Sequence, residues 1–280
     1  MKNKVICAII GVFFAFSFLA FALFHSPWKA FGFLHIYGLL MSLALPFAIA
    51  YLCSKDISLA KRIALILSII LALSPLTRPF FLPLVRENMS EIKSWDMAIP
   101  FNLCNISAIL YLIAVLTDNQ VIKNYMITFG LFGGLINNVQ AHNTDRGTFW
   151  FYLTWESYFV HVLIIVIPIF MLLTNQIKPN IKKAMWNVTW ILPFFLLAGF
   201  LINPAWKTNF HFTVPNSFTK AVIPTMTEPW IIFGQPVDPI FMIGVLIMTA
   251  IACTLLYILS WFIYKRCRPK FSQIPSSPNK

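Results

Sequence analysis

Residues 100–107 read Pro-Phe-Asn-Leu-Cys-Asn-Ile-Ser and open a long apolar run, Ala108 to Leu116. A thiol flanked by two amides at the head of an apolar helix is unusual, because polar groups in hydrocarbon cost free energy unless they are partnered or functional. A free cysteine, however, is often a small buried apolar residue. The segment therefore predicts either an inert core thiol or a reactive one, depending on which other polar residues reach the same membrane depth.

The composition is that of a membrane protein. Of the 280 residues, 59% are hydrophobic and 11% are charged, and the mean hydropathy is +0.77. A soluble domain carries about 25% charged residues. The net charge of +12 does not indicate nucleic-acid binding, because the basic residues lie in loops between apolar runs. The five cysteines form no CxxC and no Cys/His metal spacing, so neither a metal, another cofactor nor a disulfide framework is predicted.

The predicted fold is all-α, a polytopic membrane helix bundle of about eight transmembrane helices, because a spanning helix needs about 20 apolar residues. The candidate spans are residues 5–24, 33–53, 63–84, 98–117, 121–140, 151–174, 186–203 and 239–264. The third is the weakest, since prolines at positions 75 and 79 break its pattern. The first run is not followed by a small-x-small cleavage site, so it is predicted to be an uncleaved helix rather than a signal peptide.

The basic residues predict the orientation. Most of the 21 Lys and Arg residues fall on the side of the two termini, with tight clusters at 178–183 and 265–270. By the positive-inside rule both termini are cytoplasmic, and the protein is a multi-pass protein of the cell membrane.

The predicted organisation has three parts. They are an extra N-terminal transmembrane helix (1–30), a transmembrane bundle (31–264) with an outer loop (204–238), and a basic cytoplasmic tail (265–280). The outer loop is rich in Pro, Trp and Phe. We expect it to lie at the membrane interface or to fold back over the bundle.

Polar residues are concentrated in the outer halves of the predicted helices and in the outer loop, whereas the inner halves are almost purely apolar. This asymmetry predicts a site, since intramembrane ionisable residues are functional candidates by default. The predicted substrate-binding residues are His35, Arg78, Asn102, Asn105, Asn137, Asn138, Glu156, Asn209 and His211.

Structural roles compete with this interpretation for several members. Arg78 can reach outward to lipid phosphate, and His35 lies close enough to the interface for a purely structural hydrogen bond. Asn137 and Asn138 can cap a helix end. Glu156 precedes His161 by five positions, so the two side chains do not squarely share a helix face, and the carboxylate can lie at the headgroup level.

The sharpest hypothesis joins Cys104 and His161 as the catalytic residues of a membrane-embedded acyltransferase or acyl hydrolase whose site lies near the outer membrane face. A thiol is nucleophilic as the thiolate, and a nearby imidazole can take its proton. The resulting acyl-thioester would let an acyl chain pass from a donor to an acceptor. Asn102 or Asn105 would orient the imidazole or donate to an oxyanion.

Five short segments carry a family resemblance. They are residues 31–35 (Phe-Gly-Phe-Leu-His), 100–104 (Pro-Phe-Asn-Leu-Cys), 158–161 (Tyr-Phe-Val-His), 208–212 (Thr-Asn-Phe-His-Phe) and 228–230 (Glu-Pro-Trp). In order and spacing they resemble the motifs of YwaF-type bacterial integral membrane proteins, whose eukaryotic relative is the transmembrane protein 164 acyltransferase. The likeness runs from about residue 31 to the end, so the first helix looks like an addition. Two departures are Asn102, where the family has His, and a tryptophan-rich segment reduced to Pro229-Trp230.

The resemblance implies an acyltransferase acting on membrane phospholipids, with Cys104 as nucleophile and His161 as base. Two alternatives stay open: a transporter or lipid-binding protein whose polar residues line a cavity, and a purely structural protein. No internal repeat is visible in the sequence, and the polar residues lie on one side rather than at the midplane, which disfavours a transporter. The sequence leaves the lipid, the acyl chain and the oligomeric state open.

Overall fold

The structure is a computed structural model of the chain, and it describes residues 33–54, 56–85, 102–140, 152–206, 223, 225 and 228–271. Helices dominate these ranges. In chain order they are α1 (Phe33–Leu52), α2 (Ile57–Val85), α3 (Leu103–Thr117), α4 (Gln120–Tyr125), α5 (Leu131–Gln140), α6 (Tyr152–Leu173), α7 (Ile181–Leu197), α8 (Asn203–Trp206) and α9 (Pro239–Phe271). Two π turns, Met126–Gly130 and Ala198–Ile202, join α4 to α5 and α7 to α8 without a break.

The predicted helical membrane fold is confirmed in outline. Four described segments are long and apolar enough to cross a membrane: Ile57–Thr77, Glu156–Leu173, Ile181–Trp206 and Pro239–Cys267. Shorter apolar helices occupy Ser42–Leu52 and Leu103–Thr117. The first predicted span lies outside the described residues. The total of eight spans and the cytoplasmic termini stay predictions.

Prolines do not interrupt α2, although the sequence pattern predicts a break there. The helix continues through Pro75 and Pro79 as far as Val85. Each proline removes one backbone donor, and a helix in a bundle tolerates this where nearby groups satisfy the freed backbone. The Thr77 hydroxyl donates to the Ser74 carbonyl at 2.6 Å within this proline-containing stretch.

Side-chain caps set several helix starts. The Asn119 side chain accepts from the N–H groups of Val121 and Ile122 at 2.8 and 3.3 Å, at the head of α4. The Asp238 carboxylate accepts from the N–H of Phe241 at 2.9 Å, at the head of α9. Such caps satisfy N–H groups that have no partner within the helix, and so they fix where each helix begins.

The central element is α6, which packs against α1, α2, α5 and α9. Every residue from Leu163 to Leu173 is buried. By contrast, α9 leaves most of its surface exposed, including Ile243, Ile247 and Leu255. The described part of the bundle therefore has a buried central helix, surrounded by helices that offer an apolar face to lipid.

The π turn Met126–Gly130 packs against both α3 and α6. The Tyr111 hydroxyl on α3 lies 3.0 Å from the Ile164 carbonyl and 3.3 Å from the Met126 carbonyl, so it can donate to either. A π turn holds one residue more than an α turn, so it rotates everything after it by about 100°. This rotation decides which residues of α5 face α3 and α6.

A two-stranded hairpin precedes α9, within the predicted outer loop. Strands β1 (Trp230–Ile232) and β2 (Gln235–Val237) are antiparallel, and Trp230 pairs with Val237. The turn residues Phe233 and Gly234 have φ of 50° and 71°, the combination that two-residue hairpin turns favour. Val237 packs with Phe195 and Met242, so this part of the loop lies against the ends of α7 and α9.

Gly130 is a position where the packing of the π turn can be tested. A Cβ added there would overlap the Tyr111 hydroxyl oxygen. We expect Gly130→Ala to destabilise the folded protein by about 1–3 kcal/mol through overpacking. In a Tyr111→Phe background the oxygen is absent, so Gly130→Ala should destabilise the folded protein less. The measurement is a double-mutant cycle of unfolding in detergent. Additive effects, within about 0.5 kcal/mol, would contradict the contact.

Candidate functional site

Cys104 is the second residue of α3 and is half-buried. Asn102 is the N-cap residue, with an extended backbone (φ −81°, ψ 143°), and its side chain makes no capping hydrogen bond. The first-turn N–H groups of a helix have no partner within the helix, and together with the helix dipole they favour negative charge. The fold therefore puts the Cys104 thiol in the first turn of α3, close to these N–H groups.

His161 lies on the buried helix α6, and its ring nitrogens have different surroundings. Nδ1 lies 2.5 Å from the backbone carbonyl of Ser157, one turn earlier on the same helix. A carbonyl oxygen can only accept, so Nδ1 carries the proton in this contact. In the neutral imidazole the lone pair is then on Nε2, which is the state that a general base requires.

The two predicted catalytic side chains are in contact. Nε2 of His161 lies 3.0 Å from Sγ of Cys104. The thiol also lies 3.6 Å from the Gly133 carbonyl on α5. A nucleophile and a base within hydrogen-bond reach, with the base oriented by a third group, form the arrangement that covalent catalysis uses. Three helices therefore meet at this thiol: α3, α5 and α6.

Asn137 on α5 contributes a third side chain at the contact between Cys104 and His161. Its Nδ2 lies 2.9 Å from Nδ1 and 2.7 Å from Nε2 of His161. The amide thus contacts the imidazole directly. The sequence alone does not distinguish this position from that of a helix cap.

The remaining predicted residues on these helices lie in or near the interior of the bundle. Asn105 on α3 and Asn138 on α5 are buried, and Asn102 is half-buried. Glu156 is buried, and its carboxylate accepts from the Ser74 hydroxyl on α2 at 3.1 Å. Sequence reasoning missed Ser74, because its partner is 82 positions away and no local pattern marks it.

Four predicted residues lie outside the side chains that the structure describes. The backbones of His35 and Arg78 belong to α1 and α2, but their side chains are outside the described set. Asn209 and His211 are outside the described residues altogether. Their predicted roles stay predictions.

Two consecutive glycines allow the helices to meet. A Cβ on Gly133 would lie 3.3 Å from the Leu103 side chain and 3.6 Å from Sγ of Cys104. A Cβ on Gly134 would lie 3.2 Å from the backbone carbonyl of His161 and 2.9 Å from the Ile164 side chain. Small residues let membrane helices approach closely. Sequence reasoning missed this pair, although two adjacent glycines in an apolar run were a visible signal.

Within the described ranges, no group of three or more His, Cys, Asp or Glu residues is close enough to hold a metal ion. Cys53, Cys104, Cys253 and Cys267, the cysteines that the structure describes, are free thiols.

The adjacent glycines provide a matched test of the helix approach. Alanine gains the same helix propensity at both positions, so a difference between the two variants reports packing. We expect Gly134→Ala to cost about 1–3 kcal/mol, because the backbone carbonyl of His161 cannot move aside cheaply. The Cβ of an alanine at position 133 would mainly contact the flexible Leu103 side chain, so Gly133→Ala should destabilise the protein less. Thermal unfolding in detergent measures both, and equal shifts would contradict the packing described.

A comparison with protein-family models matches residues 4–265 to the model described as the TMEM164 family. The matched range includes the first predicted helix as well as the segments that carry Cys104 and His161. No curated protein and no solved structure shows significant similarity to the chain. The resemblance predicted from the short motifs is confirmed at the level of this family, and the narrower YwaF-type likeness stays a prediction.

Proposed function

The chain is an integral membrane protein that belongs to the TMEM164 family, and from this premise we propose that it transfers acyl chains between membrane lipids. Cys104 is the nucleophile and His161 the base in this proposal. The observation that carries it is the 3.0 Å contact between Nε2 and Sγ, with Nδ1 held by the Ser157 carbonyl. An inert core thiol has no need of an imidazole oriented in this way.

The first half-reaction forms a thioester. Nε2 takes the proton of the Cys104 thiol, and the thiolate attacks the carbonyl carbon of a lipid ester. The tetrahedral intermediate collapses, the carbon–oxygen ester bond breaks, and the departing alcohol oxygen takes the proton back from Nε2. The products are an acyl chain on Sγ and a lysolipid.

The second half-reaction runs in reverse with a new acceptor. The hydroxyl of a lysolipid gives its proton to Nε2 and attacks the thioester, the carbon–sulfur bond breaks, and the thiol regains its proton. With water as acceptor the same steps release a fatty acid. The chemistry alone therefore supports either an acyltransferase or an acyl hydrolase, and the access of water decides between them.

The negative oxygen of each tetrahedral intermediate needs donors close to Sγ. The first-turn N–H groups of α3 are candidates, because Cys104 is part of that turn and the Asn102 side chain does not cap it. The carboxamides of Asn102 and Asn105 are further candidates on the same helix end. Preorganised donors of this kind account for a large part of catalysis in acyl transfer.

The position of the dyad favours a lipid substrate. Both residues lie on apolar helices of a membrane bundle, and α3 and α6 also expose Ile109, Ile113 and Phe159. In a membrane, such faces meet acyl chains. A substrate that approaches the thiol along these faces would come from the lipid phase, which suits a molecule that carries an acyl chain.

Labelling with a lipid-like, thiol-reactive acyl probe tests the function. We expect the purified protein in detergent to be acylated at Cys104 and Cys104→Ser to remain unlabelled. His161→Ala should slow the reaction by about 100-fold or more, since a general base contributes about 10²–10⁴-fold. Cys253→Ser is the matched control, because this buried thiol on α9 has no role in the proposal. Equal labelling of Cys53, Cys104 and Cys253 would contradict the acyltransferase hypothesis.

A transporter or lipid-binding protein is the second candidate, since the same polar residues would also line a cavity. Substrate flux into proteoliposomes that survives Cys104→Ser would favour it. Loss of lysolipid acylation in the same variant, with protein that still inserts, would favour the enzyme.

A further inference from the structure

Two basic segments meet at the end of the bundle where α6 stops. One segment follows α6 and contains Lys178, Lys182 and Lys183, and the other lies near the end of α9 and contains Lys265 and Arg266. Together these five residues form the basic patch. One of them, at position 183, is half-buried, and the other four are exposed.

A side-chain contact joins the two segments. The Tyr264 hydroxyl on α9 donates to the Asn175 side chain at 3.1 Å, and Asn175 lies in the turn that follows α6. Lys265 and Arg266 directly follow Tyr264, and Lys178 comes three positions after Asn175. The tertiary structure therefore brings together cations from segments that are 89 positions apart in the chain.

Within the described residues, no carboxylate forms an ion pair with the basic patch. The sequence has no Asp or Glu between positions 157 and 227, and none after Asp238. Asp118 is paired with Lys123, and the Asp56 carboxylate accepts from the N–H of Leu59 at 3.0 Å. The patch thus gathers several positive charges that repel one another, and an anion from outside the chain would stabilise them.

Each basic segment has an exposed tryptophan one helical turn closer to the middle of the bundle. Trp186 follows Lys182 by four positions on α7, and Trp261 precedes Lys265 by four positions on α9. The two tryptophans are 63% and 44% exposed. Helix α7 begins at this end of the bundle whereas α9 ends here, so opposite chain directions produce the same order. Tryptophan favours the membrane–water interface, so the cations lie about 6 Å further out, at the depth of lipid phosphates.

The two cations of α9 are held against aromatic rings. Nζ of Lys265 lies 5.8 Å from the centroid of the Trp261 ring, and the Arg266 guanidinium lies 5.2 Å from that of Phe262. Cation–π contacts attract the charged groups back along the helix, toward the aromatic residues. Both charges therefore lie close to the membrane surface rather than extending into the water.

We propose that the basic patch binds the headgroup of an anionic phospholipid of the surrounding membrane. Basic residues beside a membrane-spanning helix attract anionic lipids. A soluble anion would use the charges alone, whereas a phospholipid also covers apolar side chains next to the tryptophans, such as the exposed Met185 and Ile258. The site is separate from Cys104 and His161, so it does not depend on the proposed function.

Titration of the purified full-length chain with phosphatidylglycerol in a neutral detergent tests the proposal. Native mass spectrometry counts the bound lipids and gives the apparent Kd. Phosphatidylcholine with the same acyl chains is the lipid control, because it has the same phosphate but no net charge. Inorganic phosphate, added at an ionic strength matched with chloride, tests whether a soluble anion takes the same place.

Two variants remove the same number of charges at different places. Lys265→Gln/Arg266→Gln changes the patch, whereas Lys61→Gln/Arg62→Gln changes two exposed cations near the start of α2. The sequence predicts both pairs on the same side of the membrane. Helix α2 packs against α3 and α6, so its cations lie outside the patch. Lys182→Gln tests the segment that follows α6.

We expect phosphatidylglycerol to bind more tightly than phosphatidylcholine. Each Lys or Arg near an anionic lipid contributes about fivefold, so Lys265→Gln/Arg266→Gln should weaken binding by about 25-fold and Lys182→Gln by about fivefold. Lys61→Gln/Arg62→Gln should change it by less than about twofold.

Three results would overturn the proposal. Equal binding of the two lipids would show that the negative charge of the headgroup is not recognised. An equal loss in Lys61→Gln/Arg62→Gln would show that only the net charge of the protein matters. Displacement of the lipid by inorganic phosphate would assign the patch to a soluble anion.

Discussion

The close approach of α5 to α3 and α6 is the constraint on which the candidate site depends. Gly133 and Gly134 are adjacent, so they point in directions about 100° apart, and each lets a different neighbour come near. One faces the turn that carries Cys104, and the other faces the backbone of His161. Gly133 leaves room for the Cys104 thiol, and Gly134 lets α5 approach the backbone of His161, whose Nε2 lies 3.0 Å from that thiol. The π turn before α5 sets the rotation that aims the glycines and Asn137 at the dyad.

Hydrogen bonds between buried polar groups hold together the other end of the bundle, around Lys123 and Asn124. Buried Lys123 is paired with Asp118 and donates to the Gln176 carbonyl at 3.0 Å. The Asn124 side chain donates to the Lys178 carbonyl and accepts from the Asn180 N–H. Polar groups away from water are costly unless hydrogen-bonded, so these contacts tie α4 to the turn between α6 and α7. They fix the scaffold at the end of the bundle opposite the contact between Cys104 and His161.

The dyad differs from those structural contacts in one physical respect. At the Lys123 end each hydrogen bond has a donor and an acceptor whose roles are fixed by charge or by the backbone. At His161 the ring is held through Nδ1 by the Ser157 carbonyl, while Nε2 lies 3.0 Å from the Cys104 thiol, a group that ionises more readily than a backbone amide.

Much of this protein follows from the sequence alone. Apolar runs of about 20 residues predicted the helical membrane fold, and the polar residues gathered in the outer halves predicted that Cys104, His161 and Asn137 belong to one site. Depth along a helix can be read from the sequence because each residue adds a constant rise. Direction around a helix across a bundle cannot be read in that way. The π turn, the burial of α6, the Ser74–Glu156 contact and the meeting of thiol, imidazole and amide were decided only by tertiary structure, because rotation and packing depend on contacts between residues far apart in the chain.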